Sequence, residues 1–321
     1  MNLPDAMNIP PDQFDRFKKQ GYHIVGAHSA VKPCLWSGRA VKKEGNCYKS
    51  RFYGIDSHRC IQMTPSLGCN QACLYCWRPI EHPVEAPRHW DAPEEIVEGC
   101  INAQRRFMSG YGGLENIDTL LWQQSLEPRH AAISLAGEPT LYPHLDGLID
   151  EFHNRGLTTF VVTNGTRPEV IEIIRPTQLY MSLDAPDKDT YVDICSPCNP
   201  AMWEQILRSL AILHDHPSRT AIRITLVKEL NIKDIKGYAR LIEIAAPDVI
   251  EVKAYMHLGY SRRRLERDAM PRHEEISRFA ALLAGELDYE LTDEVELSRV
   301  VLLSDPSFHT ILLNNSRQSL S

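Results

Sequence analysis

Three cysteines fall within eight residues, at Cys69, Cys73 and Cys76, spaced C-x3-C-x2-C with Tyr75 just before the last. Thiolates this close wrap a loop around one metal centre, because sulfur ligands select iron–sulfur clusters and zinc. No fourth cysteine follows nearby. One metal position is therefore left open, and an open position means chemistry at the metal rather than a structural staple. A zinc loop with a remote ligand, or three core cysteines, are the other readings of the loop alone.

The rest of the chain must supply a scaffold for that loop. After it, strand-like and helix-like stretches alternate about six times. The predicted strands are Ala131–Leu135, Thr158–Val162, Gln178–Leu183, Arg219–Val227, Val249–Ala254, Tyr289–Leu291 and Ser298–Ser304. The predicted helices are Ala92–Met108, Tyr142–Arg155, Pro168–Arg175, Met202–His214, Ile235–Ala246 and His273–Leu287. Such alternation predicts an α/β fold with a parallel sheet. Pattern alone does not separate a partly closed barrel from an open doubly wound sheet. In either, ligands bind at the carboxyl ends of the strands. Polar residues cluster there: Gly137, Glu138 and Pro139 after the first strand, Asn164 after the second, Ser182 and Asp184 after the third. Lys228 and Lys253 end later strands, within reach of a carboxylate or phosphate. The run from Tyr255 and His257 to Arg262, Arg263 and Arg264 interleaves aromatic and basic side chains, a pattern suited to RNA. Arg39, Lys42 and Lys43 extend it.

The net charge of −7 argues against general nucleic-acid binding over the whole surface, leaving room for a local basic patch. No signal region opens the chain and no apolar run of membrane-spanning length occurs, so a cytoplasmic protein is expected. Nine cysteines in a reducing compartment point to metal or catalysis, not disulfides. Cys100 reads as core, and the Cys195-x-x-Cys198 pair as two thiols in a connecting loop. Upstream, the stretch from Tyr22 to Cys60 reads as turn-rich and polar, after a short helix over Pro11–Gln20. It holds Cys34, Cys47 and Cys60, each 13 residues from the next.

The Cys69 loop resembles that of the radical S-adenosylmethionine (SAM) enzymes, in which three cysteines hold a [4Fe-4S] cluster and SAM chelates the fourth iron. Gly137-Glu138-Pro139 resembles their motif for the SAM amino group, with Ala136 where a glycine is usual. The run from Cys47 through Lys49 to Cys60 leads straight into that loop. Together they closely resemble the tRNA 4-demethylwyosine synthases of the archaeal, single-domain kind, over about Val25 to Leu303.

The resemblance implies a (βα)6 partial TIM-like barrel over residues 61–304, an N-terminal extension over 1–60 and a polar tail over 305–321. It implies a second [4Fe-4S] cluster on Cys34, Cys47 and Cys60. It also implies SAM contacts at Gly137, Glu138, Pro139, Asn164, Ser182 and Asp184. Lys49, between Tyr48 and Phe52, is the implied catalytic residue; burial there favours a neutral amine that forms an imine with pyruvate. The implied substrates are pyruvate and tRNA(Phe) bearing N1-methylguanosine at position 37, joined into the tricyclic base. RNA contacts are expected at Tyr255, His257, Arg262, Arg263 and Arg264. With no flavodoxin-like domain, an external one-electron reductant is implied for a monomeric enzyme. Another radical SAM enzyme with an auxiliary cluster, or a non-catalytic iron–sulfur or zinc protein, are the alternatives.

Overall fold

The computed structural model describes residues 11–307, so most of the expected polar tail lies outside the described residues. Two compact units are present. One comprises residues 11–69, 83–162 and 173–177, the other 70–82, 163–172 and 178–307.

The first unit carries β1 (His23–Val25), β2 (Ser29–Val31), β3 (Cys60–Thr64), β4 (His130–Ile133) and β5 (Thr158–Thr163). β1 and β2 form an antiparallel hairpin, and β2 runs antiparallel to β3. β3, β4 and β5 are parallel, in rows that match Cys60 with His130 and Thr158, and Gln62 with Ala132 and Phe160. Successive strand residues face opposite ways. The alternate rows, Ile61 with Ala131 and Thr159, and Met63 with Ile133 and Val161, are fully buried and share the other face. Helix Pro93–Ser109 packs on this sheet. Pro93 suits its first turn, Glu94 and Glu95 complement its amino end, and the Glu95 carboxylate accepts the Ala92 N–H at 3.4 Å. Ile96, Val97, Cys100 and Ile101 form its buried stripe, and Cys100 is core as expected. Each such side chain contributes about 1.5–3 kcal/mol.

The second unit carries β6 (Gln178–Ser182), β7 (Arg219–Leu226), β8 (Val249–Ala254), β9 (Glu290–Val295) and β10 (Val300–Ser304). β6, β7 and β8 are parallel. β10 runs antiparallel to β8, and β9 to β10. Five of the six parallel strands fall on predicted ones; β3 was not expected, and the two late strands, β9 and β10, run antiparallel. Helices Met202–His214, Ile235–Ala245 and His273–Glu286 fall close to their expected bounds.

Two helices are shorter than expected. Tyr142–Arg155 reduces to Leu145–Asn154, after a 3-10 turn at Pro139–Leu141. Pro168–Arg175 reduces to Pro168–Ile171, because Pro176 disfavours helical backbone at the residue before it. The turn-rich stretch from Tyr22 to Cys60 instead contains β1, β2 and the short helices Leu35–Val41 and Tyr48–Tyr53. Among the described residues, no helix is long and apolar enough to cross a membrane.

Asp91 anchors the β1–β2 hairpin. Its Oδ2 accepts the Ala27 N–H at 2.7 Å, and its own N–H donates to His28 Nε2 at 2.8 Å. His28 Nδ1 donates in turn to the Pro65 carbonyl at 2.6 Å, which fixes a neutral ring, and burial lowers its pKa. Asp91→Ala strips the Ala27 N–H of its partner. It should cost about 1.5–3 kcal/mol in chemical denaturation; a change below about 0.5 kcal/mol would show that the hairpin is held elsewhere.

Candidate functional site

In the first unit, Cys34 and Cys47 precede the two short helices and Cys60 opens β3. Neither of the first two thiols caps its helix. Ser57 ties the segment together: its Oγ accepts the Cys47 N–H at 2.9 Å, and its carbonyl accepts the Ser37 hydroxyl at 3.0 Å. His130 Nε2 accepts the Asp56 N–H at 3.1 Å, which pins the last turn before Cys60 to β4. Burial, with the nearby charges of Cys34 and Cys47, pushes the Cys60 thiol up to about 12, while Lys49 opposes the shift. The structure thus brings the three cysteines and Lys49 into one electrostatic neighbourhood. Lys49 is 7% exposed, and its Nζ lies 5.1 Å from the centroid of the Phe160 ring.

Among the described residues, no three His, Cys, Asp or Glu side chains converge as a single ion requires. Three thiols are the donor chemistry that iron–sulfur clusters take.

At the carboxyl end of β4, Gly137 adopts φ +69°. A Cβ there would stand 1.9 Å from the Ser66 carbonyl oxygen and 2.6 Å from that of Gly68. Only glycine lets this turn touch the start of the cysteine loop. Glu138 N–H donates to the Gly68 carbonyl at 2.8 Å. The Glu138 side chain is buried and accepts from the Thr140 N–H and hydroxyl, at 3.1 and 2.7 Å. Pro139 is buried at the head of the 3-10 turn. Cys69 is the last residue of this segment of the first unit.

Cys73 and Cys76 belong to the second unit, in the segment 70–82. That segment has no helix or strand of its own, so its polar groups are met from outside. Arg264 donates to the carbonyls of Leu74 (3.1 Å), Cys76 and Arg78 (3.3 Å), and pairs with Glu81 at 2.5 Å. Tyr260 N–H donates to the Trp77 carbonyl at 3.0 Å. Asn164 donates to the Asn70 side chain at 2.8 Å, and Asn70 donates to Thr166 at 2.7 Å. The Tyr75 hydroxyl donates to Asp184, whose other oxygen accepts the Thr225 N–H at 2.5 Å. Burial raises the Asp184 pKa despite these donors. Asn164, Ser182 and Asp184 line a cavity of about 10 Å³, room for one water at most. Two of these expected SAM contacts therefore also brace the loop. The sequence marked Tyr75 only as an aromatic before Cys76; Asn70 carried no signal.

The basic run divides by exposure. Arg262 and Arg263 are exposed, and Arg263 stacks on Tyr260 at 4.6 Å. Arg264 is the loop clamp. Tyr255 is 2% exposed, its hydroxyl bonded to His257 (3.1 Å) and Ser261 (3.0 Å). Lys228 pairs with Glu275 at 2.8 Å, and Lys253 donates to the Ser298 carbonyl. Lys43 pairs with Asp118 at 2.8 Å, while Arg39 lies over Trp36.

The radical SAM superfamily profile matches residues 63–242, and a profile described as wyosine base formation matches 244–305. The S-adenosyl-L-methionine-dependent tRNA 4-demethylwyosine synthase of Pyrococcus abyssi is 49% identical over 305 residues, 92% of this chain and 89% of that protein. The one from Methanocaldococcus jannaschii is 45% identical, covering 92% and 97%. A solved structure of TYW1 with a lysine–pyruvate adduct bound superimposes with a TM-score of 0.86, at 44% identity over 93% of this chain and 97% of that one. A crystal structure of archaeal TYW1 gives 0.79 at 42% identity, with the same coverage.

Gly137→Ala should weaken SAM binding at least tenfold, about 1.4 kcal/mol, because the added methyl must displace the Ser66–Gly68 backbone. Equilibrium dialysis with labelled SAM measures it; wild-type affinity would mean that this turn does not shape the SAM site.

Proposed function

Because the chain belongs to the S-adenosyl-L-methionine-dependent tRNA 4-demethylwyosine synthases, within the radical SAM superfamily, we propose that it joins a fragment of pyruvate, held on Lys49, to N1-methylguanosine-37 of tRNA(Phe). The chain is an enzyme of tRNA modification and wyosine base formation. Its family works with SAM and a [4Fe-4S] cluster. The observation that carries the finer reading is the burial of Lys49 beside Cys34, Cys47 and Cys60 in one unit. The lysine–pyruvate adduct of the TYW1 structure supports it.

Cys69, Cys73 and Cys76 would hold the cluster that, with SAM, supplies a 5′-deoxyadenosyl radical to take hydrogen from the N1-methyl group. Cys34, Cys47 and Cys60 would hold a second cluster beside Lys49. Gly137, Glu138 and Pro139 would shape the turn for the SAM amino group, and Asn164, Ser182 and Asp184 would offer hydrogen bonds to its methionyl or ribose groups. Lys49 Nζ attacks the pyruvate ketone, water leaves, and the imine holds the three-carbon unit in place. Phe160 beneath the amine keeps that position dry. Arg262 and Arg263, with Tyr260, offer exposed phosphate and stacking contacts to the tRNA, whose target base must turn out of the loop to be reached. His257 borders the same run, and Tyr255 and Arg264 support it from within. A separate one-electron reductant, a monomeric state and a cytoplasmic setting complete the proposal.

Anaerobic incubation of the iron- and sulfide-loaded chain with SAM, reductant, pyruvate and tRNA bearing N1-methylguanosine should give the tricyclic base. Deoxyadenosine without it would assign the chain's radical chemistry to a different substrate. Borohydride with labelled pyruvate should fix label on Lys49. Lys49→Arg should lose that adduct and two or more orders of magnitude of turnover, on the order of misplacing a reactant, with SAM cleavage retained. Label found elsewhere would reject the imine. Arg262→Ser with Arg263→Ser should weaken tRNA binding and flatten its salt dependence by about 0.7–0.9 in slope per lost phosphate contact; an unchanged slope would remove the patch from the interface.

A further inference from the structure

The Cys195-x-x-Cys198 pair has no part in the function above, yet it lies against the cysteine loop. Residues 194–198 run antiparallel to residues 70–74, within the second unit. Cys198 N–H donates to the Asn70 carbonyl at 3.0 Å, Ala72 N–H to the Ser196 carbonyl at 3.1 Å, and Leu74 N–H to the Ile194 carbonyl at 2.9 Å. Gln71 and Pro197 form an antiparallel bridge between the first two of these bonds. The same register sets Cys73 opposite Cys195, between the second and third.

Cys195 is the last residue of the helix Lys188–Cys195, and its carbonyl also accepts the Ala72 N–H, at 3.0 Å. Hydrogen bonds on both sides of Cys73, from Ala72 to Cys195 and Ser196 and from Leu74 to Ile194, hold it against Cys195, and the Cys195 side chain raises the Cys73 pKa from beside it. Cys195 is 4% exposed and Cys73 half-buried. Two further contacts hold the register: Gln71 donates to the Tyr191 hydroxyl at 2.8 Å, and the helix Lys188–Cys195 ends at Ser196 in a left-handed conformation, φ +42°. Cys198 belongs to a hydrogen-bonded position, so its side chain takes the opposite face. It is exposed, 4.0 Å from the Met202 sulfur.

We propose that Cys73 and Cys195 are a disulfide-forming pair in the cluster-free chain, and that the bond withdraws Cys73 from iron until it is reduced. The two thiols lose two electrons and two protons; a small-molecule disulfide accepts them and departs as two thiols. Excess small thiol runs the exchange backwards. In the loaded chain the Cys73 sulfur is bound to iron, and the Cys195 thiol stays reduced beside it. The bond itself rests on the backbone contact that holds residues 72–74 against residues 194–196. Its effect on loading rests on Cys73 being a cluster ligand, as proposed above.

The test takes full-length, cluster-free chain, incubates it with oxidised glutathione, alkylates free thiols and maps the peptides by mass spectrometry. A peptide pair joined through Cys73 and Cys195 is expected, absent in Cys195→Ser and retained in Cys198→Ser. The oxidised chain should then take up about four fewer irons than the reduced chain, one cluster's worth, and recover them after dithiothreitol. Cys195 joined to Cys198, or Cys73 joined to another loop cysteine, overturns the pairing. A Cys73–Cys195 link with undiminished iron uptake upholds the pairing and overturns the effect on loading, and with it the ligand role of Cys73.

Discussion

Residues 70–82 have no helix or strand of their own, and their backbone groups still need partners. One guanidinium meets several of them. Arg264 reaches three carbonyls of the loop, those of Leu74, Cys76 and Arg78. Its planar, rigid fork can serve several acceptors at once, which a lysine cannot. Glu81 balances the charge. Gly259, φ +57°, brings the clamp's chain so near that a Cβ would stand 2.5 Å from the Trp77 carbonyl. The region profiled as wyosine base formation thus also holds the loop in shape.

The first unit solves a different problem. Its three cysteines come from three separate elements. Burial raises the Cys60 pKa, and Lys49 opposes that rise from within the chain. The short helices that begin after Cys34 and Cys47 are scarcely stable alone. Ser37, Ser57 and His130 fix them through hydrogen bonds to the turns, so the order of this segment depends on tertiary partners.

That dependence marks what could be read in advance. Five of the six parallel strands were legible because burial imposes apolar-rich stretches, as in Ile222, Ile224 and Leu226, or Val249, Ile250 and Val252; β3, Cys60–Thr64, was not. Gly137 was legible because close backbone approach demands glycine. The strands and helices between Tyr22 and Cys60 were not, since three- to seven-residue elements carry too few apolar positions to show a period. Nor could sequence separate Arg264 from Arg262 and Arg263. Identical side chains in a row differ only in what each one meets, and Arg264 meets carbonyls more than 180 residues away in sequence. The Cys195 thiol was read as bland for the same reason: its opposition to Cys73 is a matter of register.

Strand geometry in the first unit also bears on why the lysine sits where it does. Cys60 starts β3, and its row contains His130 and Thr158. The next row on that face holds Gln62, Ala132 and Phe160, about 7 Å further along at the rise of a strand. Lys49 Nζ lies over Phe160, level with this second row. The Gly137 turn follows the carboxyl end of β4, beyond it. Within this unit the amine therefore stands partway from Cys60 toward the end where Gly137 turns. A radical centre and its carbon partner react only when held nearly in contact. Under the function proposed above, a pyruvate held on Lys49 would be carried toward that end by the length of the lysine side chain.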